Sequence, residues 1–291
     1  RINRTMKLVV LGKTGFIGKA IFEHFHGSKA HEVRGFNSSQ LNLTSPNAAE
    51  ELAKLLDYNT TLIVSARAGK NSDPLQTLEQ DIAITNNVAR AIAITPVKKC
   101  VYFSSIAVYG ENVENINITE ETETSPTSLY GISRMAGGVA IKNAAEKSGI
   151  PLTVFRPCMI YGPGDRAFPY GPDLFLKCVL EDASVKIFGD GTELREYLHI
   201  QDLVKVTEYF IHKDFPGTYL LGTGQSRSFK EIIKYIEEIT QRDVKIEILK
   251  QKQPKINQKL NIKKLQKDFP DLSFIAFKDG MRDTFEHAKI K

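Results

Sequence analysis

The chain has 291 residues, 42% hydrophobic and 25% charged, with a formal net charge of +5. That balance excludes a disordered, collagenous or disulfide-scaffolded chain. No apolar run approaches the roughly 20 residues that cross a bilayer, so no membrane partner is expected.

Arg1 to Thr5 lead straight into a short apolar strand rather than a secretory signal. Cys100, Cys158 and Cys178 are far apart and lack metal-ligand spacing. They read as free thiols in a reducing cytoplasm, with no metal expected.

Lys7–Leu11 is a run of strand formers, and the loop Gly12-Lys13-Thr14-Gly15-Phe16-Ile17-Gly18 follows at once. The pattern then predicts a helix over 16–25, a strand over 32–36 and a helix over 48–56. Ser45 or Asn47 is a candidate cap for that helix, with Pro46 near its first turn. A strand over 61–66, a helix over 75–93, a strand over 99–104, a helix over 129–148 closed by Gly149, and a strand over 152–156 follow. This alternation predicts an α/β fold, a doubly wound parallel sheet with helices on both faces. Such sheets bind ligands at the carboxyl ends of their strands.

The character changes after about Gly162. Pro163, Gly164, Pro169, Gly171 and Pro172 mark an irregular stretch. Helices are then predicted over 173–179, 200–212, 229–240 and 280–287, and strands over 185–188, 218–221 and 245–248. The expected division is a dinucleotide-binding domain over 6–165, with 198–224 returning to it. A smaller substrate domain then takes 166–197 and 225–291. Lys250, Lys252, Lys255, Lys259, Lys263, Lys264 and Lys267 make a basic cluster. No aromatic residue interleaves with them as a stacking platform, so they read as a solvated face and no nucleic-acid partner is expected.

Three glycines spaced by two residues, after a strand and opening a helix, let the backbone lie against a pyrophosphate at a helix N-terminus. The expected cofactor contacts are Gly12 to Gly18, Asn37, Ser38, Asn42, Leu43 and Ala66. Chains that prefer NAD end the second strand with an acidic residue for the ribose diol. Here Phe36-Asn37-Ser38-Ser39 stands there, and Arg34, Lys13, Ser38 and Ser39 offer donors for a 2′-phosphate. Both NAD and NADP are open, with a lean to NADP.

Val101 to Gly110 reads as a strand ending in Ser104-Ser105, and Tyr130 and Arg134 share one face of the helix that follows. A tyrosine with a pKa near 10 is a poor base at neutral pH, and an adjacent cation lowers that pKa. A serine hydroxyl can hold the oxygen that such a tyrosine protonates or deprotonates, while a nicotinamide carries hydride.

These features, with Arg156-Pro157, Tyr161-Gly162-Pro163-Gly164, Gly189-Asp190-Gly191, Arg195-Glu196-Tyr197, His199 and Asp202, resemble one family. It is the extended short-chain dehydrogenases/reductases of the NAD-dependent epimerase/dehydratase type, which act on nucleotide sugars. The resemblance implies a Rossmann fold, and Ser105, Tyr130 and Arg134 as the catalytic set, the last two also touching the cofactor. It implies substrate contacts at Ser104, Tyr109, Met159, Phe188 and Arg195, the last on a pyrophosphate. It implies a homodimer formed by the helices over 75–93 and 129–148. His199 is expected to be a structural hydrogen-bonding residue.

Four positions depart from the family pattern. Arg134 replaces a lysine, Met159 stands for an asparagine, Asp81 for an asparagine, and Arg67-Ala68 for a commoner His or Ala. Ser105-Ile106-Ala107 lacks the carboxyl pair of the dehydratases. Gln40-Leu41-Asn42-Leu43-Thr44 and the total length resemble the 4-keto-sugar reductases. A nucleotide-sugar 4-ketoreductase is therefore expected, with a 4-epimerase as the alternative and a non-catalytic dinucleotide sensor as a third reading.

Overall fold

The computed structural model describes residues 6–28, 31–69, 72–165, 171–250 and 255–289. Pro169 and Lys252 lie outside them. In chain order the elements are β1 (Lys7–Leu11), α1 (Phe16–Gly27), β2 (Glu32–Phe36), α2 (Ala48–Ala53), β3 (Thr60–Val64), α3 (Pro74–Ile94) and β4 (Lys99–Phe103). A 3-10 turn (Ile106–Tyr109), β5 (Asn115–Ile118), α4 (Leu129–Lys147), β6 (Leu152–Pro157), β7 (Met159–Tyr161), α5 (Gly171–Leu180) and β8 (Val185–Phe188) follow. Then come β9 (Leu194–His199), α6 (Ile200–His212), β10 (Gly217–Leu221), β11 (Ser226–Ser228), α7 (Phe229–Thr240), β12 (Ile246–Leu249), β13 (Gln258–Leu260), α8 (Lys263–Asp268) and α9 (Phe277–Lys289).

Two compact units form. The first takes the described residues of Arg1–Glu111, Glu123–Arg156 and Thr207–Tyr219. The second takes those of Asn112–Thr122, Pro157–Val206 and Leu220–Lys291.

In the first unit the six-stranded sheet runs β10-β6-β4-β3-β1-β2. The pairings β1–β2, β1–β3, β3–β4 and β4–β6 are parallel. Leu8 to Leu11 of β1 are fully buried, the continuous apolar run that a strand covered on both faces requires. Leu11, Leu62, Val64 and Tyr102 of the sheet pack with Leu52, Val88, Ile92 and Ile141 of the helices. The chain leaves β1 for β2 on one side and returns to β3 on the other. The change of direction falls at the carboxyl end of β1, where the glycine loop begins.

The second unit carries small sheets, β11-β9-β7, β12-β8 and β13-β5. Val185 and Ile187 pack with Phe175, Leu176, Ile232, Ile236, Met281 and Phe285 in its core.

The division differs from the sequence expectation for a reason of pairing. Residues 112–122 leave the first unit because β5 pairs in parallel with β13. Residues 157–165 leave it because β7 pairs with β9. The segment that returns is 207–219, shorter than 198–224. Helix α2 stops at Ala53, and Asn47 makes no side-chain cap hydrogen bond. Among the described residues no helix is long and apolar enough to cross a membrane.

Candidate active site

The glycine loop uses each glycine differently. Gly12 adopts φ +89°, and a Cβ there would lie 2.8 Å from the Ala66 backbone. A Cβ on Gly18 would lie 2.2 Å from the Gly12 carbonyl oxygen and 2.4 Å from Ser65 Oγ, so only glycine lets α1 press onto the loop. Gly15 stands at the N-cap of α1 without a side-chain cap, and no acidic residue occupies the first turn. Uncapped N–H groups and a positive helix end are what an anionic phosphate requires.

Beside the loop lies a cleft of about 420 Å³. Of the residues expected at the cofactor, Gly12, Thr14, Gly15, Asn37, Ser38, Asn42, Leu43 and Ala66 line it. Lys13, Phe16, Ile17 and Gly18 shape the turn without lining the cleft. The ammonium of Lys13 sits 5.5 Å from the Phe22 ring centroid, and the Arg34 guanidinium 5.3 Å from that of Phe36. The Asn37 side-chain oxygen accepts from Ser39 Oγ at 2.8 Å and the Gln40 N–H at 3.1 Å. Ser65, Arg67 and Gln80 line the cleft without having been anticipated as cofactor contacts.

Tyr130 stands half-buried in the first turn of α4. Ser128 caps that helix, its hydroxyl accepting from the Gly131 N–H at 3.0 Å. A Cβ on Gly131 would lie 2.6 Å from the Ala107 carbonyl oxygen. This glycine lets the Tyr130 turn approach the 3-10 turn that Ser105 caps, where the Ser105 hydroxyl accepts from the Ala107 N–H at 3.1 Å. Ser104 points elsewhere: its hydroxyl donates to the Arg134 carbonyl at 3.3 Å. Tyr109 accepts a 2.6 Å hydrogen bond from Arg156.

Three of the four departures meet around Tyr130. The guanidiniums of Arg67 and Arg134 lie 5.0 and 5.6 Å from its ring centroid. Asp81 lies 3.1 Å from Arg134 Nη2, with both side chains almost fully buried. Burial opposes the Arg134 charge, but Tyr102, Tyr130 and Asp81 outweigh it and hold the guanidinium above its ordinary range. Among the described residues, Arg134 Nε and Nη2 nevertheless meet no acceptor in hydrogen-bond geometry. Orphaned donors in a dry site are costly unless a ligand meets them. The uncapped helix end, the glycine cradle and these donors all fit a nicotinamide dinucleotide. Asp81 and Arg67 are readable in the sequence only as departures, and their partnership needs the fold.

The remaining predicted residues lie in the second unit. Arg195 does not stand free for a phosphate. Its Nη2 pairs with Glu193 at 2.6 Å, and Nη1 donates to the carbonyls of Leu194 and Ile256. Phe188 is 49% exposed at the end of β8, and Met159 opens β7 opposite Tyr197. Among the described residues His199 makes no hydrogen bond through either ring nitrogen, so the hydrogen bonding expected of it is not seen. It faces Asp283 at 3.4 Å and the Tyr161 ring edge-on, and burial lowers its pKa against the pull of Asp283.

Known proteins are similar to this chain in sequence and in fold. A Bacillus subtilis protein described as an uncharacterised UDP-glucose epimerase is 25% identical over 269 residues, 81% of this chain and 83% of that protein. The UDP-glucuronate 4-epimerase of Thermodesulfobacterium geofontis is 25% identical over 222 residues, 74% of this chain and 67% of that protein. Among solved structures, a UDP-glucuronic acid 4-epimerase from Bacillus cereus, in complex with UDP-glucuronic acid and NAD, superposes with a TM-score of 0.85. It is 22% identical and covers 98% of this chain and 99% of its own. A Thermus thermophilus UDP-glucose 4-epimerase in complex with NAD gives 0.85 at 20% identity over the same shares. These likenesses establish the parallel α/β fold as the Rossmann fold of such epimerases. The sequence model of the NAD-dependent epimerase/dehydratase family matches residues 8–222, and the chain belongs to that family.

Proposed function

We propose that the chain is an NAD-dependent 4-epimerase of a UDP-linked sugar. The observation that carries this reading is Tyr130, flanked by the guanidiniums of Arg67 and Arg134 in the unit that holds the glycine cleft. Relatives described as 4-epimerases support the reaction, and neighbours solved with NAD support that cofactor over NADP. The reductase reading leaned partly on chain length. That argument loses its force, since 4-epimerase structures are covered over 99% of their length.

A bound NAD, held at the glycine loop and its cleft, would supply the acceptor and donor of the hydride exchanged with the sugar carbon. The protein's task is to move one proton and hold the sugar. The Tyr130 phenolic oxygen takes the proton of the C4 hydroxyl and gives it back, and Ser105 Oγ hydrogen-bonds to the same sugar oxygen. Arg67 and Arg134 lie against the Tyr130 ring and hold it in place for this exchange. Ile106 and Ala107 after Ser105 carry no carboxyl pair that could drive an elimination. Phe188 and Met159 serve as sugar or base contacts in this reading. Self-association belongs to it too, through the exposed Leu75 of α3 and Ile132 and Val139 of α4. Sedimentation at micromolar concentration should give twice the monomer mass.

Incubation with UDP-glucose, UDP-galactose or UDP-glucuronate should yield the C4 epimer without net consumption of cofactor. Tyr130→Phe should lower turnover about 10²–10⁴-fold and leave NAD affinity within about threefold. Oxidation of NADPH by a 4-keto nucleotide sugar, with no epimerisation, would return the reading to a reductase. Tight NAD binding without turnover on any nucleotide sugar would favour a sensor.

A further inference from the structure

Asp81 and Arg134 are 1% and 3% exposed. A charge so dry persists only when partners meet it. Asp81 has three. Its Oδ1 accepts from the Ala68 N–H at 2.7 Å, and its Oδ2 from the Ser133 hydroxyl at 3.0 Å. Arg134 Nη2 stands 3.1 Å from Oδ1. Asp81 thus ties together α3, the segment after β3 that lines the cleft, and the Tyr130 turn of α4.

Arg134 is balanced in charge and unmet in hydrogen bonding. The Nη2 contact supplies Coulomb attraction without hydrogen-bond geometry, and Nε has no acceptor among the described residues. A guanidinium carries five N–H groups in a rigid plane and cannot shed a proton to relieve the mismatch. Its two unmet donors lie on the side chain 5.6 Å from the Tyr130 ring.

A neutral amide at position 81 would not serve in the same way. The Ala68 N–H needs an acceptor, so the amide oxygen would turn to it. The amide NH₂ would then face Ser133 and Arg134, and the guanidinium would meet another donor instead of a counter-charge. Carboxylate and guanidinium fit as a pair. An amide fits a smaller cation with fewer fixed donors.

We propose that Asp81 is a positioning residue coupled to Arg134. Its carboxylate balances the buried guanidinium and leaves the Nε and Nη2 donors for the vicinal hydroxyls of the nicotinamide ribose beside Tyr130. This rests on the dinucleotide-dependent reading above.

A double-mutant cycle over Asp81→Asn, Arg134→Lys and both together tests it. NAD dissociation constants by calorimetry are read beside kcat, KM and the thermal midpoint. Asp81→Asn alone should weaken NAD about tenfold, and the double variant should bind within about threefold of wild type. A purely structural Asp81 would move the thermal midpoint and leave NAD affinity unchanged in the folded variant. If Asp81→Asn does not fold, Arg134→Lys and the double variant decide. The double variant should then bind NAD at least about threefold tighter than Arg134→Lys, because the free lysine is no longer drawn to the carboxylate. Single effects that simply multiply, or a double variant no tighter than Arg134→Lys, overturn the coupling and leave the proposed epimerase standing. A coupled cycle in NAD binding with no epimerisation of any UDP-sugar removes the epimerase and keeps the pair. A wild type that binds no dinucleotide removes both.

Discussion

Two aspartates are buried to nearly the same depth, one in each unit, and they live in opposite surroundings. Asp81 on α3 is 1% exposed, and Asp173 on α5 is 2% exposed. Asp81 has a guanidinium at 3.1 Å, a serine hydroxyl and a backbone N–H. Asp173 has the Gly162 N–H, 3.4 and 3.3 Å from its two oxygens, and the like charge of Asp165. Burial first, and Asp165 second, push the Asp173 carboxyl up to about 8. Depth alone does not decide what a buried carboxylate does; its partner decides. Asp81 is built into a charge pair beside Tyr130. A carboxyl raised this far keeps its proton to higher pH than an ordinary one and, while protonated, can donate a hydrogen bond as well as accept one.

The largest expected effect comes from breaking the paired site. Asp81→Leu keeps the branching at Cγ, removes the charge and strands the Arg134 guanidinium in a dry interior. Removing one member of a buried pair costs about 3–5 kcal/mol. Urea denaturation should show that loss at pH 7, and a loss below about 1 kcal/mol would mean that the pair carries no net charge compensation. Asp173→Asn should act in the other direction and with pH. A carboxyl whose folded pKa is raised contributes stability that is complete below its unfolded pKa and is lost as pH rises through the folded value. For Asp173 that window runs from about 3.8 to about 8. Wild type and variant should unfold alike at pH 4, and the variant should be the more stable at pH 8.5. Equal midpoints at both pH values would place a counter-charge beside Asp173 that the described residues do not supply.

Much of the first unit is legible in the sequence because its physics is local. Lys7–Leu11 is an apolar run, the glycine spacing opens α1, and the Pro74–Ile94 and Leu129–Lys147 helices carry long periodic patterns. The second unit hides more. Leu194–His199 reads Leu-Arg-Glu-Tyr-Leu-His, and Ser226–Ser228 and Gln258–Leu260 are three residues each. Strands so short show no alternation, and β13 finds β5 far along the chain. The site follows the same rule. The glycine loop acts through adjacent backbone and is visible as a motif. Asp81 and Ser133 stand 52 residues apart, so the pairing that gives Arg67, Asp81 and Arg134 a common meaning exists only in the fold. Arg195 shows the converse. Its motif is plain, yet Glu193, two residues away, takes the guanidinium.

Asp202 lies between the two extremes and sets the smallest expected effect. It is 3% exposed, and its two oxygens accept from the Ile275 N–H at 3.3 and 3.0 Å. Burial is the first cause that pushes its carboxyl up, to about 6, while the Ile275 hydrogen bond and the charge of Lys205 pull it down. Its stability contribution is therefore complete below about 3.8 and lost as pH rises through about 6, a narrower window than that of Asp173. Asp202→Asn keeps an acceptor for Ile275 and removes the titration. Its advantage over wild type should grow between pH 4 and 6.5 and then stay level, while that of Asp173→Asn keeps growing to pH 8.5. Denaturation midpoints at half-unit steps separate the two profiles. If the Asp202→Asn advantage also climbs beyond pH 7, the hydrogen bond and Lys205 are failing to hold its carboxyl below that of Asp173, and the grading by partner collapses.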